Sequence, residues 1–259
     1  MTNPMKGANY FLRGLGLLNQ SGIRRYVIIP FILNLSIFAI LMYFAIDYFS
    51  LFLDWVKFQL PEYLDWLTWI LWPLFFILCL LIFSFGFSIV ANFVAAPFNS
   101  FLAHAVEKKL TGTPPPNNGL GIVAEILLSF KNEFRKLIYY IIWAIPIIIL
   151  SFIPVINFAS PFIWFLYGAW IMSLQYLDYP MGNYSMAFKN IRANMAEKRL
   201  LTLGFGSITT AATMIPVINF LVIPTAVAGA TLLWVEEYLP QQETFENNSA
   251  ANEIANKDL

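Results

Sequence analysis

Ile153-Pro-Val-Ile-Asn-Phe158 recurs, letter for letter, as Ile215-Pro-Val-Ile-Asn-Phe220. Each copy lies inside a long stretch without a charged residue, the first from Leu137 to Leu177 and the second from Leu200 to Val235. Both stretches are entered from basic residues (Arg135 and Lys136; Lys198 and Arg199) and left through acids (Asp178; Glu236 and Glu237). The unit reads as a helix–turn–helix hairpin used twice, and internal repeats of this kind are common in transporter folds. A turn that emerges into water carries polar residues; this one carries a single asparagine. The arm before each turn is about 16 residues, or roughly 24 Å of helix, against a hydrocarbon core of about 30 Å. Two readings fit: hairpins that turn back inside the membrane, or short but complete crossings. The apolar turns favour the first, which requires burial in protein or against a wet cavity. In either case the chain returns to the side it left.

Outward from the repeat, two longer apolar runs precede it. One, from Tyr26 to Ile46, has no charge and matches the thickness of a bilayer. It begins too late and is too long for the core of a signal peptide, so it is expected to stay in the membrane. The other, from Leu67 to Ala96, is longer than one crossing needs, so it tilts or projects, and Pro97 is expected to break or kink it. Between them Asp47, Asp54, Glu62 and Asp65 stand against Lys57, with Trp55, Trp66, Trp69 and Trp72 forming an aromatic belt. Residues 10–18 and 98–110 read as amphipathic helices, the first lying on the headgroups. The fold expected is an all-α integral membrane protein: spans over 26–46 and 67–96, partly penetrating hairpins over 137–177 and 200–235, and amphipathic interfacial helices. These make one membrane domain over 1–240, followed by an acidic, disordered tail over 241–259. Basic residues cluster before the first span, over 97–136 and over 178–199, which puts both termini on the cytoplasmic side. The arm Gly204-Phe-Gly-Ser-Ile-Thr-Thr-Ala-Ala-Thr213 is rich in small residues. These suit close helix packing, the alternative being a pore wall of hydroxyls.

Composition agrees. Of 259 residues, 59% are hydrophobic and 12% charged, where soluble domains carry about 25% charged residues. The formal net charge is zero, so no nucleic-acid partner is expected. Cys79 is the one cysteine and forms no intrachain disulfide. There is no nucleotide-binding glycine loop and no nucleophile elbow, and His104, the one histidine, has no cluster of ligands around it. An enzyme, a metal site and a cofactor are therefore not expected. Glu236 and Glu237 are adjacent, project differently from a helix, and read as a solvated helix end.

Few ionisable residues stand near the apolar core, and those few are functional candidates. Ser21-Gly-Ile-Arg-Arg25 precedes the first span. Backbone N–H groups at a helix start, the positive end of its dipole and two guanidinium groups make an oxyanion site there. The plainer reading is that Arg24 and Arg25 anchor the helix at the membrane surface. Glu107, Arg135 and Asp178 are further candidates, as members of an ion pathway.

Taken in order, Gly22-Ile-Arg-Arg-Tyr-Val-Ile-Ile-Pro30, Ala95-Ala-Pro-Phe-Asn99, Gln175-Tyr-Leu-Asp-Tyr-Pro180, Thr213-Met-Ile-Pro216, Gly229-Ala-Thr231 and Trp234 resemble the CysZ family of bacterial sulfate permeases, from about Tyr10 to Tyr238. The resemblance implies a homo-oligomeric, multi-pass protein of the bacterial inner membrane, in contact with membrane lipid, that admits sulfate for cysteine synthesis. It implies sulfate binding at Gly22 and Ile23 through backbone N–H groups, and at Arg24 and Arg25 through side chains. Ser21 stands where relatives are expected to have proline, and the acidic tail also departs from the pattern. A non-transporting membrane scaffold or assembly factor is the competing function.

Overall fold

The structure is a computed structural model that describes residues 3–59, 61, 66–116 and 122–240, with side chains except those at 68, 82–97, 122–133, 156 and 216–220. The described residues are helical, with no strand among them. The chain divides into two units: unit 1 is Met1–Arg24 with Asn99–Leu259, and unit 2 is Arg25–Phe98. The tail over 241–259 lies outside the described residues.

Unit 2 contains α2 (Arg25–Gln59) and most of α3 (Leu67–Thr111). α2 is 35 residues long, about 52 Å, so it includes the expected span and continues beyond it. None of its most apolar window is buried within the structure, as befits a helix solvated by lipid. Where Asp47, Asp54 and Lys57 appear, aromatic rings link the two helices: Phe49 stacks on Phe75 at 3.9 Å and meets Trp72 edge-on at 5.0 Å. Pro97 does not break α3, and the helix expected over 98–110 is its continuation. α3 runs on to Thr111, where Gly112 at φ +80° donates its N–H to the Lys108 carbonyl and stops the helix.

Unit 1 contains α1 (Pro4–Leu18), α4 (Ile122–Ser151), α5 (Ser160–Gly182), α6 (Phe188–Glu197), α7 (Arg199–Thr213) and α8 (Pro216–Leu233). α1 starts sharply because the Asn3 side chain accepts the Met5 N–H at 2.9 Å and Pro4 sits at the first position. It was expected from Tyr10, resting on headgroups. It begins earlier, and its buried face packs on α7 and α8, with Met5, Leu12 and Leu15 left exposed on the other side. Glycines set that contact. A Cβ on Gly7 would lie 1.9 Å from the Leu201 carbonyl oxygen, and one on Gly14 would lie 2.5 Å from the Gly229 nitrogen. Gly206 likewise brings α7 onto the Ala169 carbonyl of α5. The small residues of α7 thus serve packing. Thr209 bonds back to the Phe205 carbonyl and Thr231 to the Val227 carbonyl of their own helices.

Two described segments are long and apolar enough to cross a membrane: α2, and the Phe134–Ser151 part of α4. Trp69–Leu81, where the side chains of the 67–96 run are described, is an apolar segment of α3. α7, with 15 residues, reaches about 22 Å. The two copies of the repeat differ. In the first, Val155 adopts φ +73° and a 3-10 turn follows over Ile156–Ala159. In the second, Ile215 is extended and Pro216 opens α8 directly.

Candidate functional site

The loop from Asn19 to Arg24 joins α1 to α2. Gly22 takes φ +89°, a left-handed conformation that glycine adopts without steric cost. Ile23 is buried and anchors the loop. The Ile23 and Arg24 N–H groups both point back to the Gln20 carbonyl, at 3.1 and 3.4 Å. Lys109 of α3 donates to the Ser21 carbonyl at 3.2 Å. Among the described residues the Gly22 N–H makes no hydrogen bond. Of the two backbone donors expected at this loop, then, Gly22 is available and Ile23 is already engaged.

Arg24 closes unit 1 and Arg25 opens unit 2 and helix α2. Both side chains are exposed, and among the described residues neither has a carboxylate partner. The Arg25 guanidinium lies over the Tyr26 ring, 4.8 Å from its centroid, and donates to the Tyr26 hydroxyl at 3.0 Å. The first turn of α2 carries no acid. The local chemistry offers donors and positive charge, with no carboxylate in the loop or in the first turn of α2.

Glu107 is buried; Tyr184 donates to its Oε1, and its Oε2 has no partner among the described residues. Burial raises its carboxyl above the usual range, against the Tyr184 bond, which lowers it. Asp178 is ion-paired through Oδ2, at 2.7 Å, with a lysine that is 1% exposed; that lysine is Lys136, not Arg135, whose side chain is exposed. A helix turns about 100° per residue, so neighbours in a basic pair face different ways and the sequence does not say which one enters the protein.

The sequence missed one cluster. Glu236 and Glu237 are not a free, solvated helix end. They lie on a π-helical turn, Trp234–Tyr238, and both accept from the Tyr10 hydroxyl at 2.9 Å. Arg13 forks onto Glu236 at 2.9 and 2.5 Å, and Lys6 and Lys198 both reach Glu237. The Arg13 fork holds Glu236 below the usual carboxylate range. Partial burial opposes ionisation of Glu237, but Lys6, Tyr10 and Lys198 together keep it below that range as well. The available signal was the spacing of Lys6, Tyr10 and Arg13, which is one stripe of a helix. The widened turn that lets two adjacent acids reach it has no sequence signature.

Helices of bilayer length and apolar side chains turned outward mark a helical membrane protein. Residues 10–224 match the family described as sulfate transporter CysZ/etoposide-induced protein 2.4. The chain belongs to that family, and with it to membrane proteins of sulfate-transporter type.

Proposed function

We propose that this chain is a sulfate permease of the bacterial inner membrane, supplying sulfate for assimilation into cysteine, and that it binds the ion at Gly22, Arg24 and Arg25, with the Ile23 N–H held by the Gln20 carbonyl and its side chain anchoring the loop. The observation that carries the reading is that the family match includes this loop, in which Gly22 keeps an open N–H and Arg24 is exposed, followed along the chain by exposed Arg25 and a helix whose first turn has no acid. Sulfate is a dianion that offers only acceptors. Monohydrogen phosphate brings a proton that seeks an acceptor, and the nearest acid along the chain after Arg25 is Asp47. A donor-only site therefore prefers sulfate. Glu107, Arg135 and Asp178 belong to the ion path in this reading, with Lys136 as the partner of Asp178. The chain works as a homo-oligomer with cytoplasmic termini, in keeping with the distribution of its basic residues.

Losing one charge-assisted hydrogen bond costs about 1.5–3 kcal/mol, so Arg24→Ala or Arg25→Ala weakens sulfate binding roughly 10- to 150-fold. Lysine recovers part of this, because it lacks the planar fork. Equilibrium sulfate binding with phosphate as competitor makes the measurement. Unchanged affinity in both variants returns the arginines to the role of anchors, and strong competition by phosphate means that an acid enters the site. Uptake into vesicles by the purified protein separates a permease from a scaffold. In the same reading the hairpins turn back within the membrane. Cysteines at Asn157 and Asn219, with Cys79 replaced, then react slowly with an impermeant thiol reagent applied outside; rapid labelling would establish complete crossings.

A further inference from the structure

An apolar groove of about 520 Å³ runs along α7 between α1 and α5. Met5 and Ala8 of α1 and Leu166 of α5 form its walls, and Leu203, Ser207 and Ala211 of α7 lie along its length. Ser207 is the one polar side chain among the lining residues. From Leu200 to Ala211 the groove follows α7 for about 16 Å. The groove is open along its outer side, and its walls offer apolar contact over that length. Its end near Leu200 is basic. Arg199, the first residue of α7, stands one turn before Leu203 on the same face, is exposed, and has no ion-pair partner among the described residues. Beside it Lys6 and Lys198 share Glu237. Glu197, Lys198 and Arg199 are consecutive, two cations to one acid.

We infer that this groove seats one acyl chain of an anionic phospholipid, whose headgroup is drawn to Arg199. A chain in the groove covers walls that are left open among the described residues, and the phosphate meets the uncompensated cation at the interface where α7 enters the membrane. The site does not depend on which ion the protein carries.

The test is native mass spectrometry of the full-length protein released from nanodiscs, with phosphatidylglycerol or phosphatidylcholine of identical acyl chains as the probe. One cation near an anionic headgroup corresponds to a preference of about fivefold, so the wild type retains phosphatidylglycerol by about that factor. Arg199→Gln brings the two lipids close to parity without expelling the chain. Ala211→Trp fills the groove at a half-exposed position and removes retention of both lipids, and Ser207→Phe does the same should the tryptophan variant lower the melting temperature. Equal retention of both lipids by the wild type, or unchanged retention in the filled variants, overturns the proposal. So does loss of the oligomer in the filled variants with the lipid count intact, since that assigns the groove to a second copy of the chain.

Discussion

At Ile153–Phe158 the repeated hexapeptide bends through a left-handed Val155 into a 3-10 turn, and Phe152, Val155 and Phe158 are each 82% exposed. At Ile215–Phe220 the same six residues pass straight into α8, whose later residues Val222, Ala226, Val227 and Ala228 are buried. The difference lies in the arms. The first hairpin has bulky arms tied by side-chain bonds along the seam of α4 and α5. These are Lys136 to Asp178 at 2.7 Å, Trp170 Nε1 to the Tyr139 hydroxyl at 3.0 Å, the Tyr167 hydroxyl to the Tyr140 carbonyl at 2.6 Å, and Ser160 to Ser151 at 3.0 Å. The second hairpin has arms of glycine, alanine and threonine, and α1 and α5 press onto them backbone to backbone. One peptide takes two conformations because hydrogen-bonded arms leave a turn free, whereas small-residue arms become part of a core.

The strongest way to break this contrast is to add a methyl group to each hairpin. A Cβ on Gly206 would lie 1.7 Å from the Ala169 carbonyl oxygen, whereas one on Gly168 would lie 3.6 Å from Thr210 Cγ2, an ordinary contact. Gly206→Ala is expected to cost about 3 kcal/mol or more, since two backbones must separate. Gly168→Ala is expected to gain about 0.5–1 kcal/mol from reduced backbone entropy of the unfolded chain. Thermal melting in detergent checks both, and similar values for the two would mean that the hairpins are packed alike.

Next in size is the seam of the first hairpin. Lys136→Met leaves Asp178 without its buried partner and is expected to destabilise by about 3 kcal/mol, at the lower end for a buried pair because Asp178 keeps some solvent. Adding Asp178→Leu should restore most of the loss. A double variant as unstable as the single one would show that packing of the lysine stem, not the charge, holds the seam.

The smallest effect tests the repeat itself. Val155→Gly relieves a β-branched residue at φ +73° and is expected to stabilise by about 1 kcal/mol. Val217→Gly, at the same place in the second copy, removes a side chain from the first turn of α8 and is expected to cost about 0.5–1 kcal/mol. Opposite signs in denaturant unfolding sharpen the contrast; equal signs would mean that the two turns share one conformation.

Much of the fold was legible before any coordinates. The helices at 26–46, 137–151 and 200–213 follow from apolar length, because a segment in lipid must satisfy its backbone internally. The acid-free loop at Gly22–Arg25 was legible for a related reason: charge and turn residues are local properties, and both sit within five positions. Less local features were not. Lys136 and Arg135 look alike in sequence, and the structure alone shows which of them enters the protein. Glu236 and Glu237 looked solvated because three of their partners, Lys6, Tyr10 and Arg13, lie more than 220 residues away, and the fourth, Lys198, is 39 residues from Glu237.

What the sequence determined by itself was a helical membrane protein with a twice-used hairpin and a cationic helix start, since hydropathy and charge are read residue by residue along the chain. What only the tertiary structure decided was the partner of each face: α1 against the glycines of α7 and α8, Lys136 against Asp178, and two acids on one π-helical turn against Tyr10. Between helices in lipid there is no water to expel, so packing rests on shape and on a few polar pairs. Shape complementarity is a property of two surfaces together, and neither surface records it alone.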